Sequence, residues 1–157
     1  MAQYARPDSD VTVGNWDNES ATGVLYTSID EAARSDSDYI ESSPNSLTLC
    51  EVGLSSITDP ESSAGHIVRY TYARDKTNRD LTLVARLMQG ATTIASWTHA
   101  NPSSSLTLAE QTLNSTQADN ITNYGDLRLQ FEVTVNGGAG NMGRVSWAEF
   151  EVPDAAG

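Results

Sequence analysis

The fold is decided between His66 and Val135: HIVRYTYA (66–73), DLTLVARLMQ (80–89), TTIASWTHA (92–100), SSSLTLAEQTL (103–113), STQADNI (115–121) and GDLRLQFEVTV (125–135). The last run is the plainest. Leu127, Leu129, Phe131, Val133 and Val135 alternate with Arg128, Gln130, Glu132 and Thr134. Side chains of a strand point alternately to opposite faces, so this run has one dry face and one wet face. The same period places Val68, Tyr70 and Tyr72 on one face, and Leu81, Leu83, Ala85 and Leu87 on another. Gln89-Gly90-Ala91 reads as a tight hairpin connection. Ile94 is out of phase with Ala95 and Trp97. Ser115–Ile121 is the one helix-like piece, with Ser115 as its cap and Ala118 where a capping box wants Glu or Gln. Many short strands separated by turns predict an all-β antiparallel β-sandwich of jelly-roll type with one short helical turn.

Outward from this ladder the pattern weakens. Residues 1–10, with Pro7 and two aspartates, read as an extended N-terminal arm. A first strand is expected at Val11–Trp16 and another in VLYTSI (24–29). DEAAR (30–34) reads as a helical turn, and Pro44-Asn45 turns the chain into SLTLCEVGL (46–54). SSITDPESSAG (55–65) is a loop, and RVSWAEFEV (144–152) is the final strand, stopped by Pro153. The expected organisation is a single β-sandwich domain over residues 11–153 and a C-terminal tail at 154–157. A chain of 157 residues buries about 68–70% of its unfolded surface and needs no staple.

The formal net charge is −12. Residues 1–65 hold twelve of the 21 acids but two of the nine bases, Arg6 and Arg34. Nucleic-acid binding requires a basic face, so no nucleic-acid partner is expected. Low lysine with many acids suits a surface that stays soluble when crowded. No apolar run approaches the ~18 residues of a membrane span. MAQYARPDSD has no apolar signal segment, so synthesis in the cytoplasm is expected.

The search for chemistry is short. Cys50 is the single cysteine. It lies on an expected strand beside Glu51, which predicts a buried, inert thiol. Gly138–Gly143 matches GxGxxG, but a strand follows where a dinucleotide site has a helix, so the segment reads as a hairpin loop. His66 and His99 lack metal-ligand spacing and read as turn or strand-end residues. Asp8/Asp10, Asp30/Glu31 and Asp36/Asp38 do not follow an EF-hand pattern and read as solvated acids. No catalytic residue, metal or cofactor is expected. Trp97 and Trp147 sit mid-strand and read as core, whereas Trp16 reads as a residue exposed at an edge or interface.

ARPDSDVTVGNW, LYTSIDE, SDSDYIES, VGLSSITDP, GHIVRYTYARD, DLTLVARLMQGATTIASWTHA and EQTLNSTQADNITNYGDLRLQFEV resemble a group of small β-rich proteins of tailed phages. The resemblance covers about residues 5–135. GHIVRYTY and QGATTIASWTH are its most specific parts. It implies a non-enzymatic virion structural protein, first of all a capsid decoration (cement) protein on the outer surface of the capsid. The implied partners are the major capsid protein and further copies of the chain, with a trimer favoured. The other function in view is a tail- or fibre-associated carbohydrate- or receptor-binding module, with a glycan partner. Arg6, Trp16, Arg69, Arg86 and Arg128 are the expected docking or inter-subunit contacts.

Overall fold

The computed structural model describes residues 1–44, 47–77, 80–135 and 140–155. Eleven strands form among them: β1 (Ala2–Ala5), β2 (Pro7–Thr12), β3 (Asp17–Asn18), β4 (Ile40–Glu41), β5 (Leu47–Leu54), β6 (Ile67–Arg74), β7 (Leu81–Gln89), β8 (Thr92–Ala100), β9 (Thr107–Thr112), β10 (Leu127–Val135) and β11 (Gly143–Pro153). One sheet has the order β3-β4-β11-β6-β9, with β1 also on β11. The other has the order β2-β5-β10-β7-β8. The described pairings are all antiparallel.

The eight strands from β4 to β11 are nested. β7 pairs β8, β6 pairs β9, β5 pairs β10 and β4 pairs β11. Each pair encloses the one before it, and the pairs fall in alternate sheets. This is a jelly roll, so the predicted class is the one that forms.

Alternation and size complementarity explain the core. Phe131 on β10 lies between Cys50 and Ala85, so the largest residue of the row has small flanks. Tyr70 of the facing sheet meets Phe131 edge-on, at 6.0 Å and 67°. Leu81, Leu83, Ala85 and Leu87 are fully buried, as their period predicts. Each large apolar side chain buried this way contributes about 1.5–3 kcal/mol. At Gly143 an added Cβ would lie 2.5 Å from Val133 Cγ2. Only glycine lets β11 lie this close to β10.

Several expectations need correction. Residues 1–10 are extended but do not form a free arm. Ala2–Ala5 pairs with Phe150–Pro153, and Pro7–Thr12 pairs with β5. The first strand ends at Thr12 rather than continuing to Trp16, because Gly14 takes φ +58° in a turn across β5. VLYTSI is not a strand. Tyr26–Ser28 is a 3-10 turn, fixed by the Asp10 carboxylate, which accepts from the Leu25 and Tyr26 amides at 2.9 Å each. DEAAR makes no helix. The helix is Ser115–Asp119 (α1), capped one residue earlier than expected. Asn114 is the N-cap, and Gln117 completes a capping box. Asn45, part of the expected turn before β5, and residues 138–139 of the GxGxxG motif lie outside the described residues. The strand that follows the motif begins at Gly143.

Candidate functional site

The arginines expected to dock a partner are engaged inside the fold. On the outer face of the β6/β11 sheet, Arg69 pairs with Glu110 (2.7 Å), Glu149 (3.0 Å) and Glu151 (2.7 Å). Arg6 reaches the same Glu149 at 3.1 Å and also donates to the Ala32 carbonyl. Glu149 is 4% exposed, so both guanidiniums neutralise a carboxylate that burial would otherwise penalise. On the outer face of the other sheet, Arg86 binds Glu132 and Gln130. Gln130 donates to Glu51, and Arg128 pairs with Glu51 and Asp126. The sequence places Arg69, Arg86 and Arg128 on wet faces correctly. Their cross-strand carboxylates become visible only once the strand order is known.

Trp16 is a correction. It is 2% exposed and belongs to the core cluster, not to an edge. Trp147 is also buried, at 5%, and its indole N–H donates to the Glu31 carbonyl at 2.8 Å. The acidic segment around residues 31–36 therefore lies over the outer face of β11. Ser146 links this segment to β6: it hydrogen-bonds Thr71 and donates to Asp36 at 3.1 Å, and Asp36 is held by Arg34. Burial first, then the neighbouring Asp38, pushes the Glu31 carboxyl up to about 8.

Trp97 differs from the other two tryptophans. β8 and β9 are the last strands of their sheets, and side chains of β6, β8 and β9 meet between them. Tyr70 and Tyr72 of β6, Trp97 and His99 of β8 and Gln111 of β9 line the mouth between them. Tyr72, Trp97, His99 and Gln111 are half-buried, whereas Tyr70 is fully buried. Tyr72 and His99 stack with centroids 4.1 Å apart, and Tyr70 lies 5.6 Å from His99 and 6.5 Å from Trp97.

Two hydrogen bonds meet at the Tyr70 hydroxyl. Gln111 Nε2 donates to the Tyr70 hydroxyl at 3.3 Å. The Tyr70 hydroxyl and His99 Nε2 share a hydrogen bond of 2.6 Å. His99 is a neutral imidazole. Burial lowers its pKa and keeps it neutral. Burial also raises the Tyr70 phenol well above its ordinary value, so it remains a donor. The mouth thus joins flat aromatic surface to uncharged hydrogen-bonding groups. Each residue's phase is legible in the sequence, but what turns core aromatics into a surface feature is the edge position of β8 and β9.

His66 is fully buried. Nδ1 lies 2.9 Å from the Ala64 carbonyl and Nε2 lies 2.7 Å from the Tyr124 hydroxyl. It precedes β6, in keeping with a strand-end residue. Among the described residues neither histidine bonds a serine or a carboxylate, and no group of three or more His, Cys, Asp or Glu side chains is arranged to hold a metal. Cys50 is buried, and that burial raises its thiol pKa well above the ordinary value. A groove of about 560 Å³ near Tyr124 is lined by Asp59, Glu61, Ser62, Ser63 and Asp119. A shallower one of about 310 Å³ is lined by Asp75, Lys76, Thr77 and Ser104. No described helix is long and apolar enough to cross a membrane.

No protein-family model and no curated protein matches the sequence. Solved structures resemble it in outline. The carbohydrate-binding module TmCBM61, solved with beta-1,4-galactotriose, has a TM-score of 0.42 at 10% identity, over 98% of this chain and 88% of its own. The CBM36-1 domain of a multidomain xylanase from the hindgut metagenome of Trinervitermes trinervoides has a TM-score of 0.41 at 9% identity, over the full length of both. The enzymatically active domain of bacteriophage CBA120 tailspike protein 4 has a TM-score of 0.44 at 10% identity, over 96% of this chain and 19% of its own.

Proposed function

We propose that this chain is a non-enzymatic, carbohydrate-binding β-sandwich module, tail- or fibre-associated in a phage particle, with its site at the mouth between β8 and β9. The observation that carries this reading is the half-buried Tyr72–Trp97–His99 surface beside neutral hydrogen-bonding groups. A pyranose has apolar C–H faces and a rim of hydroxyls. Aromatic faces match the first, and imidazole N–H and amide groups match the second. The virion setting rests on the resemblance of residues 5–135 to tailed-phage proteins. Docking on a capsid shell has less support, because Arg6, Arg69, Arg86 and Arg128 are paired with carboxylates of their own sheets.

The buried positions of Trp16 and Trp147 make tryptophan fluorescence a selective probe of Trp97. Titration with neutral oligosaccharides chosen from a glycan array is expected to shift the emission. The Trp97→Ala variant is expected to lose both the shift and array binding while retaining a cooperative melt. If no glycan on the array binds and none moves the wild-type emission, the reading is wrong.

A further inference from the structure

The five outer strands of the two sheets, β1, β2, β3, β8 and β9, are not equally protected, and β1 has only four residues. An unpaired strand edge is a template for another chain, and folded proteins block such edges with charge, proline, irregularity or short length. β2 has Pro7, Asp8 and Asp10, and its register shifts twice. β3 has two residues. β9 carries Glu110, which Arg69 holds. β8 has none of these charges or prolines. It is nine residues long and reads TTIASWTHA, and burial keeps its one histidine neutral. Its bulge, at Ile94, lies near the start, and α1 also contacts this strand. Ala95–Ala100 then runs in regular register, and among the described residues no loop backbone bonds to it.

We infer that Ala95–Ala100 of β8 is a pairing edge for the same strand of a second copy of this chain, joining two five-stranded sheets into one. Charge selects the occupant. Two chains with 21 acids and nine bases each repel over most of their surface. The neutral β8 edge is where two copies meet without bringing carboxylates together. An antiparallel β8–β8 pair is also self-complementary, as a two-fold interface requires. Its dyad stands perpendicular to the sheet, so the inner residues of both strands face the same side. Trp97 and His99 of one copy then lie beside Trp97 and His99 of the other, between the two β9 strands. A contact of one strand is small, so the dimer is weak.

Sedimentation velocity on the full chain, from about 10 µM to about 1 mM, tests this, since contacts of this size associate in that range. The sedimentation coefficient is expected to rise towards that of a dimer. The S96K/T98K variant places lysines opposite lysines on an exposed face. It is expected to weaken association by about tenfold or more with an unchanged melting temperature. A wild-type chain that stays monomeric at the highest concentration overturns the inference and leaves the edge to a different protein. A dimer that persists in S96K/T98K also overturns it, because association then uses another surface. The readout is independent of glycan binding, so either proposal can fail alone.

Discussion

At the scale of the residue, His99 is the most informative side chain. The Tyr70 hydroxyl hydrogen-bonds its Nε2, Tyr72 stacks on its ring, and burial lowers its pKa below that of an unfolded histidine. The unfolded chain therefore takes up this proton first as the pH falls. The stability contributed by neutral His99 is complete above about pH 6.5 and is lost below it. The wild-type melting temperature is expected to fall more between pH 7 and pH 5 than that of His99→Gln. Parallel melting curves for the two proteins at both values would refute the assignment. The sequence shows His99 at the end of a strand and shows no partner for it. Tyr70 lies 29 positions away, and only the crossing of the two sheets brings its hydroxyl to the imidazole. Leu81, Leu83, Ala85 and Leu87 are legible because burial there follows from local alternation alone.

At the scale of the element, legibility follows length and locality. β7 and β10 are long enough to show their period, and a short turn joins β7 to β8. β1, β3 and β4 are two to four residues each, too short to show one. β1 reads as an arm because its partner on β11 is almost a chain length away. The VLYTSI segment has strand-forming residues, but two hydrogen bonds to Asp10 outweigh that propensity. Deleting residues 1–5 should therefore lower stability. It removes the pairing with Phe150–Pro153 and the buried Ala5. A loss of at least about 2 kcal/mol is expected from several backbone hydrogen bonds of about 0.5–1.5 kcal/mol each. Urea denaturation measures it, and an unchanged midpoint would mean that β1 is dispensable.

At the scale of the whole molecule, the two outer faces are cross-strand lattices of arginine and carboxylate. One centres on Glu149 and the other on Glu51. Individually exposed ion pairs contribute little, but here each lattice surrounds a nearly buried glutamate, so removing one guanidinium strands a buried charge. The wet faces of the ladder are thus part of what sets strand register. The sequence shows the class of the fold but not its strand order. Order depends on which distant runs pair, and antiparallel runs of similar alternation pair acceptably in several ways.

The nesting of the strands also says how the chain must fold. β7 and β8 are joined by Gly90 and Ala91 alone, with Gly90 at φ +56°. Once they pair, the ends of β6 and β9 are brought near each other, and so on outward to β4 and β11. Closing each outer pair directly would enclose a far longer loop, at a greater entropic cost. The process resembles a zip whose slider starts at Gly90. In stopped-flow measurements, Gly90→Ala should slow refolding, because a side chain is strained at that φ, while the unfolding limb stays nearly fixed. Loss of the β1–β11 contact, which forms last, should instead accelerate unfolding. The earliest strand of the domain waits for its last, so until β11 is made this chain holds an open seam.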